Sequence, residues 1–232
     1  MNTVLVTGAN RGIGLELVRQ YLEDKWTVFA CCRQPEKANE LNALARTYPS
    51  LSIFHLDVTN QDNINKLALE LSSKPIDVLI NNAGILGEKA GINDTLKDIT
   101  ADNLLQNFKI NAIAPILMAR AFVKNLEESK MKTLVNISSQ MGSIELSHGN
   151  FYAYRMSKAA LNMGIKSLSY EWAEKKIRVL LLHPGWVKTD MGGPKAPVYK
   201  QDSVKGLRAV ISNKFQHFEG IFFDYQGKEL PW

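Results

Sequence analysis

Seven short apolar segments recur along the 232-residue chain, and every gap between them is long enough to hold a helix. Each segment is a continuous run rich in Val, Ile, Leu or Phe, which is typical of strands buried on both faces of a parallel sheet. The segments are residues 3–7, 27–32, 52–56, 77–80, 133–137, 178–183 and 221–223. This alternation predicts an α/β fold built from parallel strands and crossover helices.

Helical spacing of apolar residues fills the gaps between these segments. It predicts helices over residues 12–24, 61–71, about 98–128 and about 152–175. No Gly/Ser-rich linker or change in composition divides the chain, so we expect residues 1–232 to form a single domain. The expected architecture is a doubly wound parallel sheet of about seven strands with helices on both faces. Ligands of such sheets bind at the carboxyl ends of the strands.

The composition excludes several classes of protein. The net charge is +5, but the 28 Lys and Arg residues are scattered among 23 acids, so we expect no nucleic-acid partner. No run approaches the 18 apolar residues of a membrane helix, and the first residues do not read as a signal segment, so we expect no membrane association. The only two cysteines are adjacent, at positions 31 and 32, which fits a cytoplasmic protein without disulfides or structural zinc.

A glycine-rich turn directly follows the first predicted strand and leads into the first predicted helix. Glycines let the backbone turn sharply and approach a diphosphate, and the helix N-terminus adds free N–H groups and partial positive charge. The spacing is G-x-x-x-G-x-G rather than G-x-G-x-x-G, and the Lys-Ser or Lys-Thr pair of a P-loop is missing. An ordinary glycine-rich connection is the alternative interpretation. The expected cofactor contacts in this turn are Gly8, Asn10, Arg11, Gly12, Ile13 and Gly14.

The end of the second predicted strand indicates which dinucleotide is preferred. An Asp or Glu at this position normally binds the ribose 2′-hydroxyl and repels a 2′-phosphate. Here Arg33 follows Cys31 and Cys32, and Arg11 is a second cation nearby. A guanidinium binds phosphate oxygens with two parallel hydrogen bonds, so we predict NADP(H) rather than NAD(H). In the alternative, Arg33 only begins a solvated loop and Arg11 pairs with a surface acid.

Seven motifs in a fixed order run through nearly the whole chain, each at the end of a predicted strand or in the helix after it. They are Thr7-Gly8-x-x-x-Gly12-x-Gly14, Asp57-Val58, Asn81-Asn82-Ala83-Gly84, Asn111, Ser139, Tyr154-x-x-x-Lys158 and Pro184-Gly185-x-x-x-Thr189. In these motifs the sequence resembles the short-chain dehydrogenase/reductase family, and within it the carbonyl-reductase branch. The resemblance implies a Rossmann fold and an NADP(H)-dependent enzyme that interconverts a carbonyl and an alcohol, without a metal.

The Tyr-x-x-x-Lys pattern occurs twice, at Tyr21 and Lys25 as well as at Tyr154 and Lys158. The first copy lies at the far end of the first helix, away from the strand ends, and we interpret it as a packed tyrosine and a solvated lysine. The second copy begins a helix shortly after Ser139, and positions four residues apart share one helix face. Only the second copy is therefore expected to meet a hydroxyl group and a cofactor together.

The resemblance implies a role for four residues. Tyr154 would donate a proton to the carbonyl oxygen, and Ser139 would donate a hydrogen bond to the same oxygen. Lys158 would hold the nicotinamide ribose, and Asn111 would anchor a water that relays protons to Lys158. Ser138 is the rival of Ser139. The resemblance favours Ser139, because the family's active serine is the second of such a pair, and strand alternation is expected to point the two hydroxyls to opposite faces.

Lys158 is also expected to change the acidity of Tyr154. A free tyrosine has a pKa near 10, which is too high for ready proton exchange at neutral pH. A cation about 4 Å away, at an effective dielectric near 20, favours the phenolate by about 4 kcal/mol, or roughly three pKa units before desolvation. We therefore expect Lys158 to lower the pKa of Tyr154 toward neutrality.

The resemblance extends the cofactor site to the other strand ends. Asp57 is expected to accept from the adenine amino group, with a helix N-cap as the alternative, although Thr59 and Asn60 are stronger cap candidates. The remaining expected contacts are Val58, Asn82, Ala83, Gly84, Pro184, Gly185, Val187 and Thr189.

The substrate is expected to be a small carbonyl or alcohol. The Gly and Pro content of residues 191–202 predicts a loop, which in the family closes over the substrate.

Family members are often dimers or tetramers through two long helices, so a homodimer or homotetramer is also expected. The alternative function is a cofactor-binding signalling protein whose turnover is incidental. An apolar pocket favouring uncharged aldehydes or ketones is expected from Ile144, Leu146, Phe151, Trp186 and Met191.

Overall fold

The computed structural model describes residues 1–87, 95–212 and 221–232, and a seven-stranded sheet runs through them. The strands pair in parallel in the order β3-β2-β1-β4-β5-β6-β7. They are β1 (Thr3–Thr7), β2 (Thr27–Cys32), β3 (Leu51–His55), β4 (Val78–Asn81), β5 (Thr133–Ile137), β6 (Arg178–His183) and β7 (Phe222–Asp224). The predicted strands and the doubly wound α/β architecture are confirmed, and no strand end differs from its predicted position by more than one residue.

Helices flank the sheet in the described parts of the chain. They are α1 (Gly12–Glu23), α2 (Asn39–Thr47), α3 (Gln61–Glu70), α4 (Ala101–Phe108), α5 (Ala114–Glu127), α6 (Tyr152–Glu171) and α7 (Lys200–Ile211). The long helix predicted from about 98 to 128 is instead α4 and α5, joined by a π-helical turn at Lys109–Ile113. Among the described helices, none is long and apolar enough to cross a bilayer.

Two of these helices were not predicted from the sequence. The α2 helix fills the connection between β2 and β3, and α7 begins at Lys200, so the expected loop over residues 191–202 ends three residues early. The reason is that α7 buries Val204, Leu207 and Ile211 at helical spacing, which outweighs the Gly and Pro signal just before it.

Alternate residues of each central strand supply two separate cores. On β1, Val4 and Val6 pack with the buried faces of α1, α2 and α7, whereas Leu5 packs with those of α3, α5 and α6. The chain runs outward from β1 to β3 and then returns to β4 on the other side of β1. This change of direction opens a crevice above the carboxyl ends of β1 and β4, where ligands of such sheets bind.

Gly206 allows α7 to pack directly on the backbone of the C-terminal turn, because a Cβ added there would lie 2.2 Å from the main-chain oxygen of Tyr225. We expect Gly206→Ala to lower the free energy of unfolding by about 1–3 kcal/mol, as overpacking does, although alanine is normally the better helix former. Gly164→Ala on α6 is the matched control, since its Cβ would meet the flexible side chain of Ile116 at 3.3 Å. Urea unfolding measures both variants, and equal effects would contradict the prediction.

Candidate active site

The glycine turn between β1 and α1 is held in place by the loop after β4. The hydroxyl of Thr7 accepts hydrogen bonds from the backbone N–H groups of Asn82 and Ala83, both at 3.0 Å. The Asn82 side-chain amide donates to the carbonyl oxygens of Thr7 and Gly8, at 2.9 and 3.1 Å. Gly8 has a φ of +63°, and a Cβ there would lie 2.9 Å from Ala83 Cα. Asn82 and Ala83 therefore shape the turn from behind.

The same turn also lies close to the segment after β6. Gly12 has a φ of +57°, and the nearest neighbour of a Cβ there would be the Thr189 side chain, at 3.6 Å. Arg11 precedes α1 without capping it through its side chain. Thr189 therefore packs close to the glycine turn, and the free backbone N–H groups at the start of α1 are of the kind that binds a diphosphate.

The other predicted residues of this turn lie in three environments. Asn10 is exposed to solvent, whereas Ile13 packs on the core. Gly14 is buried, and a Cβ there would lie 2.2 Å from the carbonyl oxygen of Gly8. Ile13 and Gly14 therefore set the shape of the turn.

The two arginines expected near the adenosine end differ in their partners. The Arg11 guanidinium donates to the Asp190 carboxylate at 3.0 Å, and both side chains are largely exposed. The alternative in which Arg11 pairs with a surface acid is thus the arrangement observed. Arg33 lies exposed immediately after β2. Asp190 was not predicted from the sequence, since 179 residues separate it from Arg11.

Asp57 follows β3 and forms a local turn. One of its carboxylate oxygens accepts from the backbone N–H and the hydroxyl of Thr59, at 2.9 and 2.8 Å. The N-cap of α3 is Asn60, so the capping alternative for Asp57 is wrong. Burial disfavours the charged carboxylate, but the hydrogen bonds from Thr59 and the charges of Arg33 and Lys109 hold the Asp57 pKa below its ordinary value. Val58 is buried beside it.

Ser139, Tyr154 and Lys158 come together where β5 and α6 meet, and all three are buried. A hydrogen bond links the side chains of Tyr154 and Ser139. The Lys158 ammonium lies 5.7 Å from the centre of the Tyr154 ring and donates to the carbonyl oxygen of Ile137 at 2.8 Å. A phenol, a hydroxyl and an ammonium thus form one group at the sheet edge that also carries the glycine turn.

Ser138 makes a different set of contacts from its neighbour. Its hydroxyl donates to the side-chain oxygen of Asn162 on α6 at 2.6 Å, and the Asn162 amide in turn donates to Gly142 at 3.4 Å. A Cβ on Gly142 would lie 2.8 Å from the backbone of Lys158, so this segment packs directly on α6. Ser138 therefore joins β5 to α6, whereas Ser139 contacts Tyr154. Gly142 and Asn162 were not predicted from the sequence.

Burial controls the acidity of the two titratable groups. It raises the pKa of Tyr154 to about 12, although the hydrogen bond with Ser139 favours the phenolate. It lowers the pKa of Lys158 from 10.5 to about 8. The expectation that Lys158 brings the Tyr154 pKa toward neutrality is therefore wrong for this structure. The reason is that desolvation penalises a charge on either group, and the ammonium hydrogen bond goes to Ile137.

Asn111 lies fully buried in the π-helical turn between α4 and α5. Its side-chain oxygen accepts from the N–H of Ile85 at 2.9 Å, and its amide donates to Ile85 at 2.8 Å and to the Ser157 hydroxyl at 3.0 Å. A Cβ on Gly84 would lie 3.2 Å from Asn111 Oδ1 and 3.8 Å from Lys158 Nζ. Asn111 therefore connects the loop after β4 to α6 next to the lysine. Ser157 was not predicted, and its only sequence signal is its place beside Lys158.

The segment after β6 lies on the same side of the sheet. The Ser203 hydroxyl donates to Pro184 at 2.6 Å, and Val187 pairs with Val198 in a short bridge. Gly185 has a φ of +84° and packs against the ring of Tyr225. The predicted residues Pro184, Gly185, Val187 and Thr189 therefore belong to one closely packed segment beside the glycine turn.

Apolar side chains of the expected substrate pocket lie on the loops after β5 and β6. Phe151 is partly buried at the start of α6. The exposed apolar residues of the loops after β5 and β6 include Ile144, Leu146, Trp186 and Met191.

The first Tyr-x-x-x-Lys copy is structural, as interpreted from the sequence. Tyr21 is buried, with its ring 4.8 Å from that of Trp26 and its hydroxyl hydrogen-bonded to Arg208. Lys25 is exposed just beyond α1, in the left-handed region at a φ of 62°.

Comparison with known proteins agrees with this geometry. The short chain dehydrogenase family model matches residues 2–199. The C-signal protein of Myxococcus xanthus is 42% identical over 166 residues, which cover 71% of this chain and 98% of that protein.

Solved structures match over the whole chain. The carbonyl reductase Sniffer of D. melanogaster has a TM-score of 0.90 and 34% identity, covering 100% of both chains. The NADPH-bound carbonyl reductase from chicken fatty liver has a TM-score of 0.91 and 38% identity, covering 100% of this chain and 99% of that one. Since the sequence motifs, the fold and the family model all agree, the chain belongs to the short-chain dehydrogenase family.

Proposed function

We propose that the protein is an NADPH-dependent reductase of small, uncharged aldehydes or ketones. The observation that carries this proposal is the buried group of Ser139, Tyr154 and Lys158 beside the glycine turn. NADPH bound to the similar chicken carbonyl reductase supports the choice of cofactor. When bound, the cofactor supplies a hydride to the carbonyl carbon.

The residues present fit a dinucleotide along the edge of the sheet. The glycine turn and the start of α1 would hold the diphosphate, with Thr189 beside it. Asp57 and Val58 would face the adenine. Lys158, close to Gly84, would hold the nicotinamide ribose.

Tyr154 and Ser139 supply the remaining chemistry. The Tyr154 hydroxyl would give its proton to the substrate oxygen as negative charge develops there, and Ser139 would donate a hydrogen bond to that oxygen. At a pKa of about 12, Tyr154 holds its proton at neutral pH, which is the form a reductase needs. The Asn111 side chain already binds Ile85 and Ser157, so a relay water would bind its main-chain carbonyl instead.

Arg33 would bind the 2′-phosphate of NADPH. No acid stands between Cys31 and Gln34, and the guanidinium of Arg33 is exposed at the end of β2. Its charge also acts on Asp57, so it lies toward the expected adenine site. Arg11 is the weaker candidate for binding this phosphate, because its guanidinium already forms an ion pair with Asp190.

A second candidate function is cofactor-dependent signalling, favoured by the similarity to C-signal. A phenotype that survives Tyr154→Phe but requires cofactor binding would favour it.

A homodimer or homotetramer through the α4–α5 and α6 helices remains part of our proposal and is supported by exposed apolar side chains there. These side chains are Leu105, Ile113, Met156, Met163 and Tyr170. The cytoplasmic location stays a prediction.

Replacing Tyr154 by Phe removes the proton donor while keeping the ring. We expect kcat for reduction of 2,3-butanedione to fall about 10²–10⁴-fold, the range for loss of a general acid, with little change in NADPH affinity. Tyr21→Phe is the matched control, since it alters the other Tyr-x-x-x-Lys copy and should keep full activity. Steady-state kinetics followed by NADPH absorbance decide the matter, and equal turnover in wild type and Tyr154→Phe would refute the assigned donor.

Replacing Arg33 by Ser tests the cofactor preference. We expect the Kd for NADPH to rise about 10–100-fold, corresponding to loss of a charge-assisted contact, while the Kd for NADH stays nearly constant. Arg46→Ser, at an exposed position on α2, serves as the control. Fluorescence titration measures both constants, and a parallel rise for the two cofactors would show that Arg33 does not read the 2′-phosphate.

The buried Lys158 should reduce the stability of the fold at neutral pH. Its folded pKa of about 8 lies below its ordinary value of 10.5, so folding opposes its charge by about 3 kcal/mol at pH 7. Lys158→Met should therefore be more stable than wild type at pH 7. Between pH 8 and 10.5 the unfolded chain binds more protons at this residue, so wild-type stability gains on the variant as pH rises.

Chemical unfolding at several pH values measures this difference between Lys158→Met and wild type. The comparison removes the pH dependence of groups common to both proteins. A variant that is less stable at pH 7, by an amount independent of pH, would contradict the prediction.

A further inference from the structure

Arg155, the residue after Tyr154, contacts both ends of the loop that joins Ser139 to α6. One terminal nitrogen of its guanidinium donates to the carbonyl oxygen of Met141 at 3.4 Å. Its Nε donates to the carbonyl oxygens of Gly149 and Asn150, both at 3.1 Å. A single side chain thus bridges the start and the end of this loop, immediately beside the proposed proton donor.

The backbone at the end of the loop has an unfavourable conformation. Gly149, Asn150 and Phe151 have φ values of +89°, +56° and +53°, in the left-handed region. Glycine adopts this region freely and asparagine tolerates it, but a bulky residue such as Phe151 does so only where the surroundings enforce it. The carbonyl groups of the first two residues are those that bind Arg155, so its guanidinium stabilises this turn.

Further hydrogen bonds connect the loop to its surroundings. The second terminal nitrogen of Arg155 lies 3.4 Å from Nε2 of His148, whose Nδ1 lies 3.1 Å from the carbonyl oxygen of Leu146. A neutral histidine that donates from Nδ1 and accepts at Nε2 satisfies both contacts. On the other side, the N–H of Glu145 donates to the main-chain oxygen of Trp232 at 3.0 Å. Residues 144–150 are all exposed, so these hydrogen bonds rather than burial hold the loop.

The same loop carries three of the apolar side chains proposed to face the substrate. Ile144 and Leu146 lie within it, and Phe151 ends it. The glycine turn and Arg33, which are proposed to bind the cofactor, follow other strands, β1 and β2. A change in the shape of the loop should therefore alter substrate binding more than cofactor binding.

We propose that Arg155 is a positioning residue that fixes the loop between Ser139 and Tyr154 in its substrate-binding shape. It acts through the carbonyl groups of Met141, Gly149 and Asn150, without contact to substrate or cofactor. This inference rests on the proposed carbonyl reductase function. The planar fork of arginine suits several acceptors at once, whereas a lysine ammonium cannot span them.

Kinetics of Arg155→Gln and Arg155→Lys test the proposal with 2,3-butanedione and benzaldehyde as probes. We expect KM for the carbonyl to rise about 5–20-fold in Arg155→Gln and less in Arg155→Lys, with kcat and the Kd for NADPH nearly unchanged. Arg120→Gln is the matched control, because Arg120 donates to Gln61 at 3.2 Å away from the loop. Lower thermal stability without a change in KM would indicate a purely structural role and overturn the proposal.

A second substitution tests the backbone part of the mechanism. Asn150→Gly removes the cost of a positive φ without removing the carbonyl group that Arg155 binds. In the Arg155→Gln background it should reverse part of the rise in KM, whereas in wild type it should change KM little. A KM that Asn150→Gly leaves unchanged in the Arg155→Gln background would contradict the role assigned to the left-handed turn.

Hydrogen exchange provides a readout that does not depend on activity. The amides of Glu145, Leu146 and Ser147 are hydrogen-bonded, and we expect them to exchange faster in Arg155→Gln than in wild type or Arg120→Gln. Unchanged exchange would overturn the positioning role whatever the kinetics show. Wild-type protein that reduces no carbonyl would refute the proposed function instead, and faster exchange in the variant would still support the control of the loop by Arg155.

Discussion

One buried side chain, that of Asn111, connects the parts of the site that must stay in register. Its amide oxygen and nitrogen bind both backbone groups of Ile85, and its nitrogen also reaches Ser157 on α6. Buried amide groups that lose such partners cost about 1–3 kcal/mol each, so this network resists rearrangement. The π-helical turn around Asn111 breaks the regular α-helix where this side chain enters the site. Among the described residues, these hydrogen bonds join the loop after β4 to α6 next to Lys158.

Lys158 and Tyr154 are buried at the proposed site, although burial disfavours a charge on either side chain. Desolvation moves the lysine pKa down and the tyrosine pKa up, which shows that both groups favour their neutral forms. An apolar residue at position 158 would avoid this cost. In the proposed function, an ammonium at this position would serve proton transfer beside the phenol and the nicotinamide ribose. Buried titratable residues that lower the stability of the fold are common at catalytic centres.

Local patterns were enough to predict most of the architecture but only part of the site. The strands were predictable because both faces of a parallel sheet are buried, which leaves continuous apolar runs. Motif residues such as Ser139 and Tyr154 were predictable from the resemblance to the family, whose motifs follow these strands. The tyrosine pKa was not, since desolvation and Coulomb attraction oppose each other and their balance depends on distances. The pairing of Arg11 with Asp190 was not predictable, because 179 residues separate the two and no local sequence pattern indicates their contact.

The most direct test of the central claim is a crystal structure of the protein with NADP⁺ bound. We expect the diphosphate at the start of α1, beside Gly12 and Thr189, with the Tyr154 hydroxyl and the Lys158 ammonium within hydrogen-bond distance of the nicotinamide ribose. The lysine would then exchange its contact with Ile137 for the ribose hydroxyls. A dinucleotide bound elsewhere, or a Tyr154 side chain directed away from the nicotinamide, would contradict the proposed active site.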